Sequence, residues 1–237
     1  SAKGVLLQLT RDPCDSCSRR HTCKMWDDTA DMPFEQRFIA HRTVPVGPDS
    51  PPLELEQAPP TLGGTDPLGT ACTVWKGGER LVELLQSRRE LVAGKRIVEL
   101  GSGTGIAGLA CAALGASRVV LTDLPENLPL LQRNAARNGL DVSVAAFDWL
   151  TPTTLGERFD VVLAADCVFW PELFAPLLNA IEAVVRPDGT VLVAVTHRLG
   201  RTDAFLETLR RRGWTASSRP RRRDAPQNTD VYEVSKF

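Results

Sequence analysis

The run Ile97-Val98-Glu99-Leu100-Gly101-Ser102-Gly103-Thr104-Gly105-Ile106-Ala107-Gly108 decides the fold. It reads as an apolar strand that ends in an acid, a turn paved with glycine, and the opening of a helix made of small residues. Glycine accepts left-handed dihedrals and lets another group approach the backbone closely. Strand, tight turn and helix therefore leave backbone N–H groups and a helix N-terminus facing one crevice, the geometry of a nucleotide-type cofactor site.

The glycines alone do not say which cofactor. Gly103, Gly105 and Gly108 satisfy the dinucleotide pattern G-x-G-x-x-G, and Asp123 lies where a ribose-binding acid belongs. Glu99 shifts the balance. A carboxylate at the strand tip repels a pyrophosphate but suits the ammonium and sulfonium charges of S-adenosylmethionine. An ordinary turn with no ligand is the bland alternative.

Outward from this motif, strands at 96–100, 118–122, 142–147, 159–165 and 189–196 alternate with helices at about 104–115, 126–138, 171–185 and 202–212. Such alternation predicts a parallel sheet with right-handed crossovers, hence an α/β, Rossmann-like doubly wound fold. The last pair of strands, Trp214–Ser217 and Val231–Phe237, has no helix between them and predicts an antiparallel hairpin closing a seven-stranded sheet. Toward the N-terminus, residues 74–92 have helical apolar spacing. Residues 37–46 and 53–57 read as a β-hairpin around a turn rich in proline and glycine. Residues 1–35 read as a cysteine-containing extension, and 36–237 as the domain proper.

The chain has 237 residues, ample for a sizeable core, and 28 basic against 29 acidic side chains, a net charge of −1 that offers no global attraction to nucleic acid or membrane. Arg210, Arg211, Arg212, Arg219, Arg221, Arg222 and Arg223 nevertheless crowd the C-terminal end and predict a local basic patch. It is read as a solvated face, a lure for an acidic protein substrate, or a contact for RNA phosphates. The missing interleaved aromatics disfavour RNA. Neither a run of about 18 apolar residues nor a secretory signal stands out, so a soluble, cytoplasmic protein without membrane insertion is expected. The opening Ser1 also fits a trimmed presequence, which leaves a mitochondrial or other organellar site as the alternative.

Laid in order, these elements resemble the class I S-adenosylmethionine-dependent methyltransferases, and among them the methyltransferase-like family 21 type of protein-lysine methyltransferases. The match rests on Gly69-Thr70-Ala71-Cys72-Thr73-Val74-Trp75, on Val98 to Gly105, on Leu121-Thr122-Asp123, on Phe147-Asp148-Trp149, and on Ala164-Ala165-Asp166-Cys167-Val168-Phe169. The resemblance implies S-adenosylmethionine as cofactor, bordered by Gly101, Ser102, Gly103 and Gly105. Glu99 would balance the positive methionine moiety, and Asp123 would accept the ribose hydroxyls. Asp148 and Trp149 would hold the adenine, Trp75 would close the other side, and Ala165 would line the pocket.

Asp166 and Phe169 are the catalytic candidates, at the strand end facing the transferable methyl. Methyl transfer needs a neutral, aligned amine shielded from water. Asp166 can hold that amine and help receive its proton, while Phe169, with Trp170, forms an aromatic wall tolerant of a cation. The competing reading of Asp166 is a cap on the next helix, which Pro171 opens. Many relatives have tyrosine at Phe169, so an orienting hydroxyl is missing here. Lys76 departs from relatives, which carry an acidic or small residue there, and either meets the lysine substrate or points to solvent. His197, past the fifth strand of the alternating series, is either a proton shuttle or a structural histidine.

Cys14, Cys17, His21 and Cys23 offer four soft ligands within ten residues. Their spacing is unlike the common zinc fingers, so zinc, a disulfide and free thiols all stay open. Two functions are therefore carried forward. One is methylation of a lysine side chain in a protein substrate. The other is a catalytically weak subunit of a larger assembly, which has no need of intact Glu99, Asp123 and Asp166. The Asn-Pro-Pro-Tyr type motif of base-amine methyltransferases is missing after the fourth strand of that series, which weighs against nucleic acid as the acceptor.

Overall fold

The computed structural model describes residues 39–57, 71–151, 154–197, 200–219 and 228–236. The expected extension and its cysteine–histidine cluster lie outside the described residues, as do Arg221, Arg222 and Arg223.

Fourteen elements follow one another in the described chain: β1 (His41–Val44), β2 (Leu53–Glu56), α1 (Lys76–Ser87), β3 (Arg96–Leu100), α2 (Ile106–Ala113), β4 (Arg118–Asp123), α3 (Leu128–Arg137), β5 (Ser143–Ala146), β6 (Phe159–Ala165), α4 (Phe174–Val184), β7 (Val185–Thr196), α5 (Arg201–Arg211), β8 (Trp214–Ser218) and β9 (Thr229–Lys236). Seven strands form one sheet in the order β5-β4-β3-β6-β7-β9-β8. The pairs from β5 through β7 are parallel, and β9 runs antiparallel to both its neighbours. The α/β, doubly wound, seven-stranded architecture read from the sequence is thus present, with one addition. The C-terminal hairpin does not simply append, because β9 slots between β7 and β8.

Period-two burial on the central strands builds two cores. Ile97, Leu121, Val161, Leu163 and Leu192 point to one face, beneath α1, α2 and the N-terminal hairpin. Val98, Leu100, Val120, Val162, Val191 and Val193 point to the other, beneath α4 and α5. These strands are apolar on both faces because helices cover both.

Boundaries shift where local chemistry outweighs periodicity. The helix expected over 74–92 ends at Ser87, where Arg88 takes a non-helical φ of −129°, and a short 3₁₀ turn follows. Gly105, with φ of +85°, holds the start of α2 back to Ile106. Pro171–Leu173 form a 3₁₀ turn, so α4 begins at Phe174. Strand β7 begins at Val185 rather than 189, because Val185 pairs with Phe159 before the register jumps to Val161 opposite Thr190.

The hairpin β1–β2 is docked by two asparagines one helical turn apart. Asn134 Oδ1 accepts from the Glu56 amide at 2.7 Å and its Nδ2 donates to the Glu56 carbonyl at 3.1 Å. Asn138 does the same for Glu54, at 2.8 and 2.9 Å. A helical i,i+4 step of about 6 Å nearly matches a strand i,i+2 step of about 6.8 Å, so two carboxamides imitate a neighbouring strand and cover the edge of β2.

Candidate active site

The carboxyl ends of β3, β4 and β6 meet at the glycine turn. Gly101, Gly103 and Gly105 all hold positive φ, at +64°, +54° and +85°. The turn is also crowded from above. A Cβ on Gly101 would lie 3.0 Å from both the Trp149 ring and the Cys167 sulfur, and one on Gly103 only 2.8 Å from the Ala71 carbonyl oxygen. The expected row of free amides is absent here, because Ser102, Gly103 and Gly105 donate to the Thr122 carbonyl, Asp123 and the Ser102 carbonyl at 2.9, 2.7 and 2.7 Å, so the glycines serve to keep the turn open to close approach. Gly108 serves packing instead: its Cβ would fall 2.1 Å from Leu121. The third glycine of the apparent dinucleotide pattern therefore lets α2 rest on β4.

Glu99 lies beneath the turn, only 1% exposed. Its Oε2 accepts from the Gly108 amide at 2.9 Å, so it satisfies a first-turn donor of α2. Burial pushes its carboxyl up to about 8, opposed by the Gly108 and Ser102 donors and aided by nearby Asp123. Without a cation beside it, this group therefore keeps a proton at neutral pH. Ser102 is buried in the framework. Its hydroxyl donates to the Glu99 carbonyl at 3.1 Å and accepts from the Thr122 amide at 3.0 Å. It joins β3 to β4 rather than presenting its oxygen to the crevice.

Asp123 ends β4. Its Oδ2 accepts from the Gly103 amide at 2.7 Å, and its Oδ1 from the Leu124 amide at 2.8 Å and from Asn127 Nδ2 at 2.6 Å. Burial raises its pKa against these three donors. Asn127 carried no signal in the sequence. It lies four residues past the strand end, in a 3₁₀ turn that periodicity does not reveal. Asp148 spends its carboxylate on an Asx turn, to the Leu150 amide at 2.9 Å and the Thr151 hydroxyl at 3.2 Å. That turn aims the half-buried Trp149 over Gly101.

The acceptor side begins where half-buried Ala165 ends β6. Asp166 has a φ of +53°, the sole non-glycine residue in that region among the described residues. A carboxylate there tolerates the left-handed conformation better than most side chains, but the geometry still marks strain. Its Oδ2 accepts from the Gly77 amide at 2.6 Å and its Oδ1 from the Thr196 amide at 2.9 Å. Asp166 therefore caps the start of α1, which precedes it in the chain, and not the turn that opens at Pro171. It ties β6, β7 and α1 into one clasp. Gly77 is required there, since a Cβ would approach Oδ2 to 2.6 Å. Trp75 is the residue at which α1 starts, with extended φ and ψ of −94° and 154°, and so sits at the same edge.

Cys167 donates its thiol to the Leu100 carbonyl at 3.3 Å. Burial, and then the surrounding carboxylates of Asp123, Glu99 and Asp166, raise its pKa, so it is a wall of the site and not a thiolate. Beyond it Phe169 and Trp170 meet edge to face, with centroids 4.9 Å apart. His197 follows Thr196, its Nε2 lying 2.7 Å from Asp230 Oδ2 on β9. Lys76, half-buried in the first turn of α1, stands next to the Gly77 that Asp166 holds. Among the described residues no group of three metal-ligating side chains gathers.

The sheet edge, a glycine turn without side chains between buried acids on two strand tips, fits a ligand that carries both an amino acid and a ribose. A sequence profile described as lysine methyltransferase matches residues 62–212. The chain belongs to the lysine methyltransferase family. Protein N-lysine methyltransferase METTL21A of Danio rerio is 34% identical to it over 152 residues, spanning 61% of this chain and 69% of the relative. EEF1A lysine methyltransferase 3 of Mus musculus is 35% identical over 131 residues, 54% of this chain and 56% of its own. Among solved structures, ribosomal protein L11 methylase from Lactobacillus delbrueckii subsp. bulgaricus aligns at a TM-score of 0.53 with 20% identity, covering 67% of this chain and 79% of that one, which bears on the fold alone. This lysine methyltransferase uses S-adenosylmethionine. No described helix is long and apolar enough to cross a membrane.

The C-terminal arginines are less free than their sequence suggests. Arg210 and Arg211 pair with Glu207, Arg212 reaches Asn179, and Arg219 pairs with Glu233. In the described part of the basic run two carboxylates thus offset half of the four charges, and Arg212 meets only a neutral amide.

Proposed function

We propose that this enzyme methylates the side-chain nitrogen of a lysine presented by a protein partner, at the end of β6. The observation that carries this reading is the contiguity of the two half-sites. Cys167, one residue past Asp166, lies against Gly101 of the cofactor turn, while Phe169 and Trp170 continue the same loop outward as an aromatic wall. S-adenosylmethionine supplies an electrophilic methyl on a sulfonium when bound. Asp123 and Glu99 would hold its polar ends, and Glu99, beside a cation, would lose its proton. Asp166 fixes the acceptor side by clasping Gly77 and Thr196, and a lone pair on its carboxylate can orient the amine. Phe169 and Trp170 exclude water from the acceptor side.

Incubation with tritiated S-adenosylmethionine and a whole-cell lysate, followed by acid hydrolysis of the labelled protein, is expected to yield methyllysine. Asp123→Ala is expected to weaken cofactor binding tenfold or more. Phe169→Ala is expected to keep cofactor binding and lose at least tenfold in transfer. Label confined to RNA or to small molecules would overturn the reading.

A further inference from the structure

The aromatic wall at the acceptor site already carries a cation. The Arg201 guanidinium, at the first residue of α5, lies 4.5 Å from the Phe169 ring centroid and 5.8 Å from that of Trp170. Every other described arginine reaches an oxygen: carboxylates in most cases, carbonyls for Arg158 and an amide oxygen for Arg212. Arg201 forms no ion pair with any described carboxylate. The elements against α5 are β8, α4 and the turn Pro171–Leu173. Of their charged groups, Glu182 is engaged by Trp214 and Lys236, and Glu172 in the turn is exposed. On α5 itself Asp203 is exposed, and Glu207 is held by Arg210 and Arg211. Nearer the sheet edge, Asp166 is bound by two amides and Asp230 by His197.

We propose that Arg201 is the residue that sets the acceptor for a neutral amine: a fixed positive charge, paired with no described carboxylate and seated on Phe169 and Trp170, that disfavours the protonated lysine and hastens departure of the methylated, cationic product. This rests on the lysine-methylating reading above. Lysine in water has a pKa of about 10.4, so only about one side chain in a thousand is neutral near pH 7.4. An amine attacks with its lone pair, the carbon–nitrogen bond forming as the carbon–sulfur pair returns to sulfur, so the lysinium proton must first leave to solvent. A like charge within several Å lowers the pKa of that lysinium. A drop of one unit makes tenfold more nucleophile available at neutral pH. A ring face filled by guanidinium also cannot hold a second cation, which separates this wall from a simple ammonium-binding cage.

The test compares the parent, Arg201→Met and Arg201→Lys on the lysate protein that the parent labels, measuring kcat at saturating cofactor from pH 7 to pH 10.5. Thermal stabilisation by S-adenosylmethionine serves as the check on folding. Arg201→Met is expected to lose about tenfold at pH 7 and to come within about twofold of the parent at pH 10.5, its pH profile displaced upward by about one unit. Arg201→Lys, keeping the charge, is expected to stay within about threefold of the parent throughout. A loss by Arg201→Met that is equal at every pH, or profiles of parent and variant that superimpose, would overturn the proposal, as would an Arg201→Lys profile matching Arg201→Met. Failure of the parent to label any lysine would instead overturn the proposed function itself, so the two results are separable.

Discussion

Glu99 couples the cofactor site to stability. Its folded carboxyl is raised to about 8 from an ordinary 4.5, so across that window the folded protein keeps a proton that the unfolded chain has released. Stability of the ligand-free protein is therefore greatest below about 4.5 on account of this group and falls as pH rises toward 8, by about 1.4 kcal/mol for each unit between the two pKa values. Asp123, also raised by burial, acts in the same sense. Glu99→Gln is expected to flatten the decline of melting temperature between pH 5 and pH 8. Calorimetric titration with S-adenosylmethionine at pH 7 is expected to report proton release in the parent and little in the variant. An acid at the strand tip was legible in the sequence. Its depth was not, because burial there comes from α2 closing over β4, and only the Leu121 contact at Gly108 reveals how near the helix lies.

The helices and strands differ in how openly they announced themselves. Both-face apolar strands and glycine turns decided the sheet, since burial on each strand is dictated by local period. The asparagine clamp on β2 could not be read, because it joins residues about 80 positions apart and asparagine is ordinary on an exposed helix. Asn134 is fully buried and also donates to the Thr104 carbonyl at 3.0 Å, linking the hairpin to the glycine turn. Asn134→Ala is expected to cost about 2–3 kcal/mol in urea unfolding, as buried partners are left unsatisfied. Asn138→Ala, at a more exposed pair, is expected to cost about 1 kcal/mol. Equal losses would show that the two amides share the load regardless of depth. The Asp166 clasp belongs with these hidden contacts. Nothing in the order of residues named Gly77 as the partner of Asp166.

Across the molecule, β9 holds the two halves of the sheet's outer edge together. Val231 and Val234 are buried in opposite cores, and the strand bonds to β7 on one side and β8 on the other. Removing residues 229–237 would therefore open β7 and strand β8, and loss of cooperative unfolding with aggregation is expected by calorimetry and light scattering. A shortened protein that melts like the parent would show β9 to be an ornament. The clasp of Asp166 has a different reach, since it fastens α1 on one face to the strand ends that both faces share. Because the aspartate fills the room a methyl at position 77 would need, these two sites are bound to drift through evolution as a pair. A lineage that keeps the acid must keep the glycine, whereas one that surrenders the acid frees position 77 to acquire alanine or serine. The ancestry of this edge should thus be written in paired changes, seldom in single ones.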